Sequence, residues 1–269
     1  MSTLTVLAAF VRRDLRIDLS YRATFVLRTL STVLLLALFY YLSRVIDNAE
    51  FGARQDLRGG YFGYAAVGLA LLTIVQIGLA SFSRKLREEQ TTGTFEALMA
   101  TPTSPSLIII SSAIYDIARA TLDGLLLMAA AIIVFGLDLH VGPGSIVVAA
   151  VALVGCVGLF ASLGVAVAAL TVVFKRTTVL LGLVVTALAL LGGVYFPIEV
   201  MPQPIEAVAK AVPFTWGLDV VRASLLDGDV EPGQLAGLYG SVAILLPLAL
   251  LGFRASVWRA RRTGSLAQY

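Results

Sequence analysis

Runs of apolar residues, each about as long as a membrane crossing, recur along this chain and leave almost no room for a soluble core. A helix rises about 1.5 Å per residue, so about 20 apolar residues cross a hydrocarbon layer of roughly 30 Å. Such runs lie near 23–45, 60–83, 107–136, 144–173, 177–196 and 235–257. They predict an all-α integral membrane protein whose six transmembrane helices fill 23–257. Charged residues are 14% of the chain and hydrophobic residues 58%, whereas a soluble domain is roughly 25% charged. The polar stretches are too short for a fused ATPase, kinase or receptor domain.

Charge placement orients these spans. Residues 1–22 hold no apolar core followed by a cleavage site, so they do not read as a secretory signal. Leu4, Leu7, Val11, Leu15 and Leu19 instead recur at helical spacing, with Arg12, Arg13 and Arg16 off that stripe. The pattern predicts an amphipathic helix in the membrane interface; a plain cytosolic tail is the alternative. With the N-terminus inside, the inner face collects 14 Lys and Arg, among them Arg84, Lys85, Arg87, Lys175, Arg176 and Arg254. The outer face receives 5: Arg44, Arg54, Arg58, Lys210 and Arg222. Positive loops stay inside, so six spans return a tail, 258–269, to the cytosol of an inner (plasma) membrane. A basic inner face needs only anionic lipid as its partner, not nucleic acid.

Three places interrupt the spans. The first is the inner connection 84–104. There Gly93 suits a helix N-cap, with Glu96 at the third helical position. Phe95, Leu98 and Met99 then share a face, and Pro102 stops the helix. Such a helix docks into a groove of another protein or rests on the lipid surface; spacing alone leaves both open. The second is the third apolar run, which carries Asp116, Arg119 and Asp123 on one helical face, where the arginine pairs with either carboxylate. Charges are costly at mid-membrane, roughly 2.5–3.5 kcal/mol each, so the helix slides to place Asp116 and Arg119 near the inner interface. A self-neutralised cluster and a polar element of a substrate path both fit. The third is the outer stretch 197–234, broken by Pro197, Pro202, Pro204, Pro213 and Pro232 but apolar at Ile198, Ile205 and Val208. It predicts a short helix pair dipping into the outer leaflet, where protein must cover its backbone.

Groups for catalysis or metal binding are few. The single histidine, His140, has no histidine cluster around it, and the single cysteine, Cys156, lies in an apolar run and has no intrachain disulfide partner. None of the three lysines follows a glycine, so a phosphate-binding Gly-x-x-x-x-Gly-Lys loop is excluded. Any ATP-driven role needs a separate subunit. Asp116 and Asp123 are the one carboxylate pair an intramembrane enzyme would have to use. Small residues Gly155, Gly158, Ser162, Gly164 and Ala168 mark the fourth run as a close-packing helix. Aromatic residues such as Phe39, Tyr40, Tyr61, Phe62 and Tyr195 gather toward the outer ends of spans, as an interface belt or along a path.

The segment Arg87-Glu88-Glu89-Gln90-Thr91-Thr92-Gly93-Thr94-Phe95-Glu96-Ala97-Leu98-Met99-Ala100-Thr101-Pro102 resembles the Glu…Gly-Thr-Leu-Glu-x-Leu…Thr-Pro segment of type-2 ABC transporter permeases. Phe196, Pro197, Glu199, Pro202, Pro213, Trp216, Asp219 and Arg222 resemble that family's outer re-entrant motif. The likeness spans nearly the whole chain. Pro105 and the Ser111-Ser112 pair depart from it, standing where members often carry basic residues. The resemblance implies a homodimeric permease subunit of an exporter of drugs, lipids or lipid-linked glycans. Two copies of a cytosolic ATPase would carry ATP and Mg, with no cofactor on this chain. It further implies a coupling helix at 94–100, with Arg87, Glu88, Glu89, Gly93, Thr94, Phe95, Glu96, Leu98, Met99 and Pro102 at the ATPase contact. A re-entrant element at 197–227 would form an outer gate or rim. A secondary carrier working without ATP is the alternative; it lacks support from paired, interrupted spans in the two halves.

Overall fold

Proline marks where this chain turns into helix. The computed structural model describes residues 12, 22–46, 59–91, 105–139, 141–173, 178–226 and 229–262. In it, helices start at Pro105, Pro143, Pro213 and Pro232. A first-turn residue has no intrahelical acceptor for its N–H, so proline sacrifices nothing there and presets φ. The helices are α1 (Arg22–Ser43), α2 (Gly60–Thr91), α3 (Pro105–Ile133), α4 (Pro143–Val173), α5 (Thr178–Leu191), α6 (Gln203–Lys210), α7 (Pro213–Leu225) and α8 (Pro232–Arg262). A 3-10 turn at Ile198–Val200 precedes α6. No strand occurs among the described residues. Helices satisfy their own backbone polar groups, as a hydrocarbon medium requires.

Among the described residues, three helices contain stretches long and apolar enough to cross a membrane: Gly60–Ser81, Pro143–Leu170 and Pro232–Arg259. Thr29–Ser43 and Leu181–Leu191 are shorter apolar helices. Helix ends differ from the expected span ends at three places. The apolar stretch Gly60–Ser81 lies within the second span expected over 60–83, but the helix itself continues to Thr91 and takes Arg87, Glu88 and Glu89 into its last turns. Loss of apolar character marks where a helix leaves lipid, not where its hydrogen bonding stops. The fifth span was expected to reach 196, but α5 ends at Leu191. There Gly193 adopts φ +68°. Val194 N–H donates to Ala189 O, and Gly193 N–H to Leu190 O. This is a Schellman ending, which needs a residue tolerant of the left-handed region. At the chain's end, α8 runs through to Arg262 across the expected start of the tail. The expected interfacial helix over 1–22 lies outside the described residues but for Arg12 and Arg22, as does the expected coupling helix over 94–100.

The core sits where α4 meets α8, α2 and α7. Gly155 and Gly158 of α4 face α8: a Cβ on Gly155 would lie 2.6 Å from Leu238 Cδ2, and one on Gly158 would lie 3.2 Å from Val242 Cγ1. Tyr239 Oη of α8 donates to Val151 O of α4 at 2.8 Å. Toward the far end, Val165 and Ala168 pack on Phe253 and Val257. Lipid tails are as apolar as leucine, so helix association in a bilayer rests on close packing and interhelical hydrogen bonds. The small residues of α4 supply the close approach.

Candidate functional site

Beyond α5 the chain folds into a further element, named the outer element after the side on which the charge pattern expects it, and one arginine holds it to the bundle. Phe196 and Pro197 lead into the 3-10 turn, which carries exposed Glu199, and Pro202 caps α6. Within α6, Lys210 Nζ pairs with Glu206 at 2.7 Å. Val212 caps α7, with Pro213 in its first turn. Two side chains staple α6 to α7: Thr215 Oγ1 donates to Ala209 O at 2.9 Å, and Trp216 Nε1 donates to Lys210 O at 2.7 Å. Phe214 is fully buried, its ring 5.2 Å edge-on from that of Phe160 in α4. Gly217 lies so close to Cys156 that a Cβ would collide with its sulfur.

Arg222 is 2% exposed. Nε donates to Tyr64 O at 3.2 Å, and Nη2 reaches Tyr64 O at 3.1 Å, Gly193 O at 2.9 Å and Val194 O at 3.1 Å. The guanidinium carbon lies 3.4 Å from the centre of the Tyr64 ring. The Tyr64 hydroxyl donates to Gly193 O at 2.8 Å. A buried cation is tolerated only where dipoles replace its water. Here backbone carbonyls and a π face do so, and the contact is worth more for being desolvated. One side chain thereby joins α7, α2 and the turn after α5. Nη1 has no hydrogen-bond partner among the described residues. One turn back on α7, burial pushes the Asp219 carboxyl up to about 6, against the pull of the Arg222 charge.

Gly68, one turn beyond Tyr64 on α2, makes room for this seat. A Cβ there would stand 2.5 Å from Val194 O and 2.7 Å from Arg222 Nη2. A backbone oxygen cannot swing aside, so Gly68→Ala is expected to destabilise by roughly 1–3 kcal/mol through overpacking. This reverses the gain of up to about 1 kcal/mol that alanine normally brings inside a helix. A thermal melt checks it, with Gly252→Ala, which has open space, expected to melt at or above wild type.

The charged cluster of α3 divides between two helices. Arg84 Nη2 of α2 donates to Asp116 at 2.7 Å, while Arg119 Nε lies 3.9 Å from Asp123. Spacing within α3 had left Arg119 to either carboxylate; Asp116 is instead tied to α2. The outer aromatics pack largely on one another. Phe39 stacks on Tyr195 at 5.9 Å, and Tyr40 meets Phe62 at 5.4 Å and Phe135 at 5.1 Å. Of the expected coupling residues, Arg87, Glu88 and Glu89 fall in the last turns of α2; Gly93, Thr94, Phe95, Glu96, Leu98, Met99 and Pro102 lie outside the described residues. Among the described residues no group of three or more His, Cys, Asp or Glu gathers to hold a metal.

Long apolar helices around a close-packed core, with a folded element at one end of the bundle, define a helical integral membrane protein. The family model for the ABC-2 type transporter matches residues 5–226, and the chain belongs to that family. No curated protein sequence matches it. The matched range takes in both interruptions that carried the resemblance, the segment 87–102 and the outer element.

Proposed function

We propose that this chain is the membrane subunit of an ATP-driven exporter. In this reading α1 to α5 and α8 are the six spans of a permease in the plasma membrane, with both termini cytosolic. Two permease copies pair with two copies of a separate ATPase, which bind ATP and Mg. The cargo is an amphipathic small molecule, a lipid or a lipid-linked glycan. The observation that carries the reading is the family match over 5–226 in a sequence that has no phosphate-binding lysine loop of its own. The segment 94–100 is the coupling helix, and the outer element forms a rim over the path. ATP drives the cycle only if it binds one arrangement of the complex better than the other.

The test is reconstitution of the chain with its ATPase in sealed vesicles, screened over lipids, hydrophobic drugs and lipid-linked sugars. ATP-dependent outward movement of one class is the expected result. Movement driven by an ion gradient without the ATPase would replace this reading with a secondary carrier.

A further inference from the structure

A cavity of about 230 Å³ lies between α2, α3 and α4 and is floored by Val221 and Leu225 of α7. Every residue that lines it is apolar. An apolar cavity of about 150 Å³ stays dry and takes benzene, because a buried water needs two to four polar partners; this one is larger and offers none. It cannot close by a simple shift of α3 onto α2. At Gly124 the two helices already touch, since a Cβ there would lie 2.9 Å from Ile74 and 3.0 Å from Ala70 O. The floor cannot rise freely either, because Arg222 fixes α7 to Tyr64, Gly193 and Val194.

Two lining residues, Leu125 and Ile146, are each 56% exposed, so the cavity opens sideways on the outer surface of α3 and α4. On the same two helices Leu122, Val147 and Val154 are also exposed apolar side chains. Leu139, from the α3–α4 connection, and Leu225 place the cavity toward the end of the bundle that carries the outer element.

We propose that this cavity is a seat for one acyl chain of a bilayer phospholipid, entering between α3 and α4 from the leaflet on the side of the outer element. Its fit follows from three properties: a wholly apolar lining, a lateral mouth beside exposed apolar side chains, and contacts at Gly124 and Arg222 that oppose closure of α3 onto α2 and of α7 into the cavity. A headgroup finds no polar partner inside and stays at the interface. The bound chain fills space between α3, α4 and the floor of the outer element, so it supports α7 from below. The inference rests on the membrane class of the chain and not on the direction or cargo of transport.

The test uses the full chain in nanodiscs of phosphatidylglycerol and phosphatidylethanolamine, doped with a phosphatidylglycerol bearing a diazirine midway along one acyl chain. After illumination, adducts are mapped by peptide mass spectrometry. Met128 and Leu153 of the cavity are expected to carry about tenfold more label than the exposed positions Leu183 and Leu248, a preference of about 1.4 kcal/mol. Ala150→Trp fills the cavity and is expected to bring that ratio to one while labelling of Leu183 persists. Equal labelling of cavity and exposed positions in the wild-type chain overturns the proposal, whether or not the filled variant folds. So does protection of Leu125 and Ile146 by a second copy covering that face. Neither readout involves the ATPase, so loss of transport activity leaves the result unaffected.

Discussion

Arg222→Ala is expected to lower stability by about 3–5 kcal/mol, among the largest effects of a single substitution. The change removes charge-assisted bonds to three carbonyls and the stack on Tyr64, and it leaves a void where a fully buried side chain had been. Each such bond is worth roughly 1.5–3 kcal/mol, and the void adds a cavity term. Arg222→Lys is expected to recover less than half of the loss. An ammonium keeps the charge but has neither the planar fork nor the flat face. The chain reports on itself: Cys156 is its single cysteine, buried to 1% exposure on α4 where Gly217 of α7 meets it. A thiol-reactive dye therefore lights up when α7 lifts from α4. The midpoint is expected to fall by on the order of 10 °C for the alanine variant. A wild-type midpoint would mean that the outer element is held by its other contacts.

Glu96→Arg is expected to abolish assembly with the ATPase and, with it, transport. The proposed coupling helix lies beyond Thr91, where α2 ends, and the sequence reading of Gly93 as its cap puts Glu96 at the third helical position. In that helix, reversing its charge would remove a first-turn carboxylate favoured by the helix dipole. It also places a cation opposite whatever basic group receives the glutamate. Losing one partner of a buried charge pair costs about 2–5 kcal/mol, enough to weaken association by more than tenfold. The measurement is ATPase recovered with the tagged permease, alongside the Cys156 dye melt. The melt is expected to match wild type while the recovered ATPase disappears. Undiminished recovery and transport would remove the coupling role from 94–100.

What the amino-acid order revealed, and what it hid, divides along physical lines. Apolar runs disclose helices well, because a bilayer demands both length and hydrophobicity. The outer element was legible from its prolines, which fall at helix starts. The extension of α2 to Thr91 was not, since Arg84–Thr91 has the composition of a solvated loop and nothing in it breaks a helix before Gly93. The early end of α5 was written in Gly192-Gly193, but two glycines in an apolar run also suit a close-packed span. Arg222 was the hardest to place. It was named as a motif residue of an outer loop, where an arginine is expected in water, yet it is buried among carbonyls. The available signal was its setting between Val220, Val221 and Ala223, all buried, which leaves α7 no wet face at that turn. Arg84 with Asp116 shows the same limit: spacing reveals neighbours on one helix and is silent about the helix beside it.

The seat of Arg222 and the helix end at Thr91, the side proposed to face the ATPase, belong to one helix. From Tyr64, four residues past its start, α2 runs without interruption for 28 residues to Thr91, about 40 Å at 1.5 Å per residue. No hinge or second element intervenes along that stretch. Under the proposed coupling, a tilt imposed at the Thr91 end would arrive at the Arg222 seat as a rigid swing, with α2 as its pushrod.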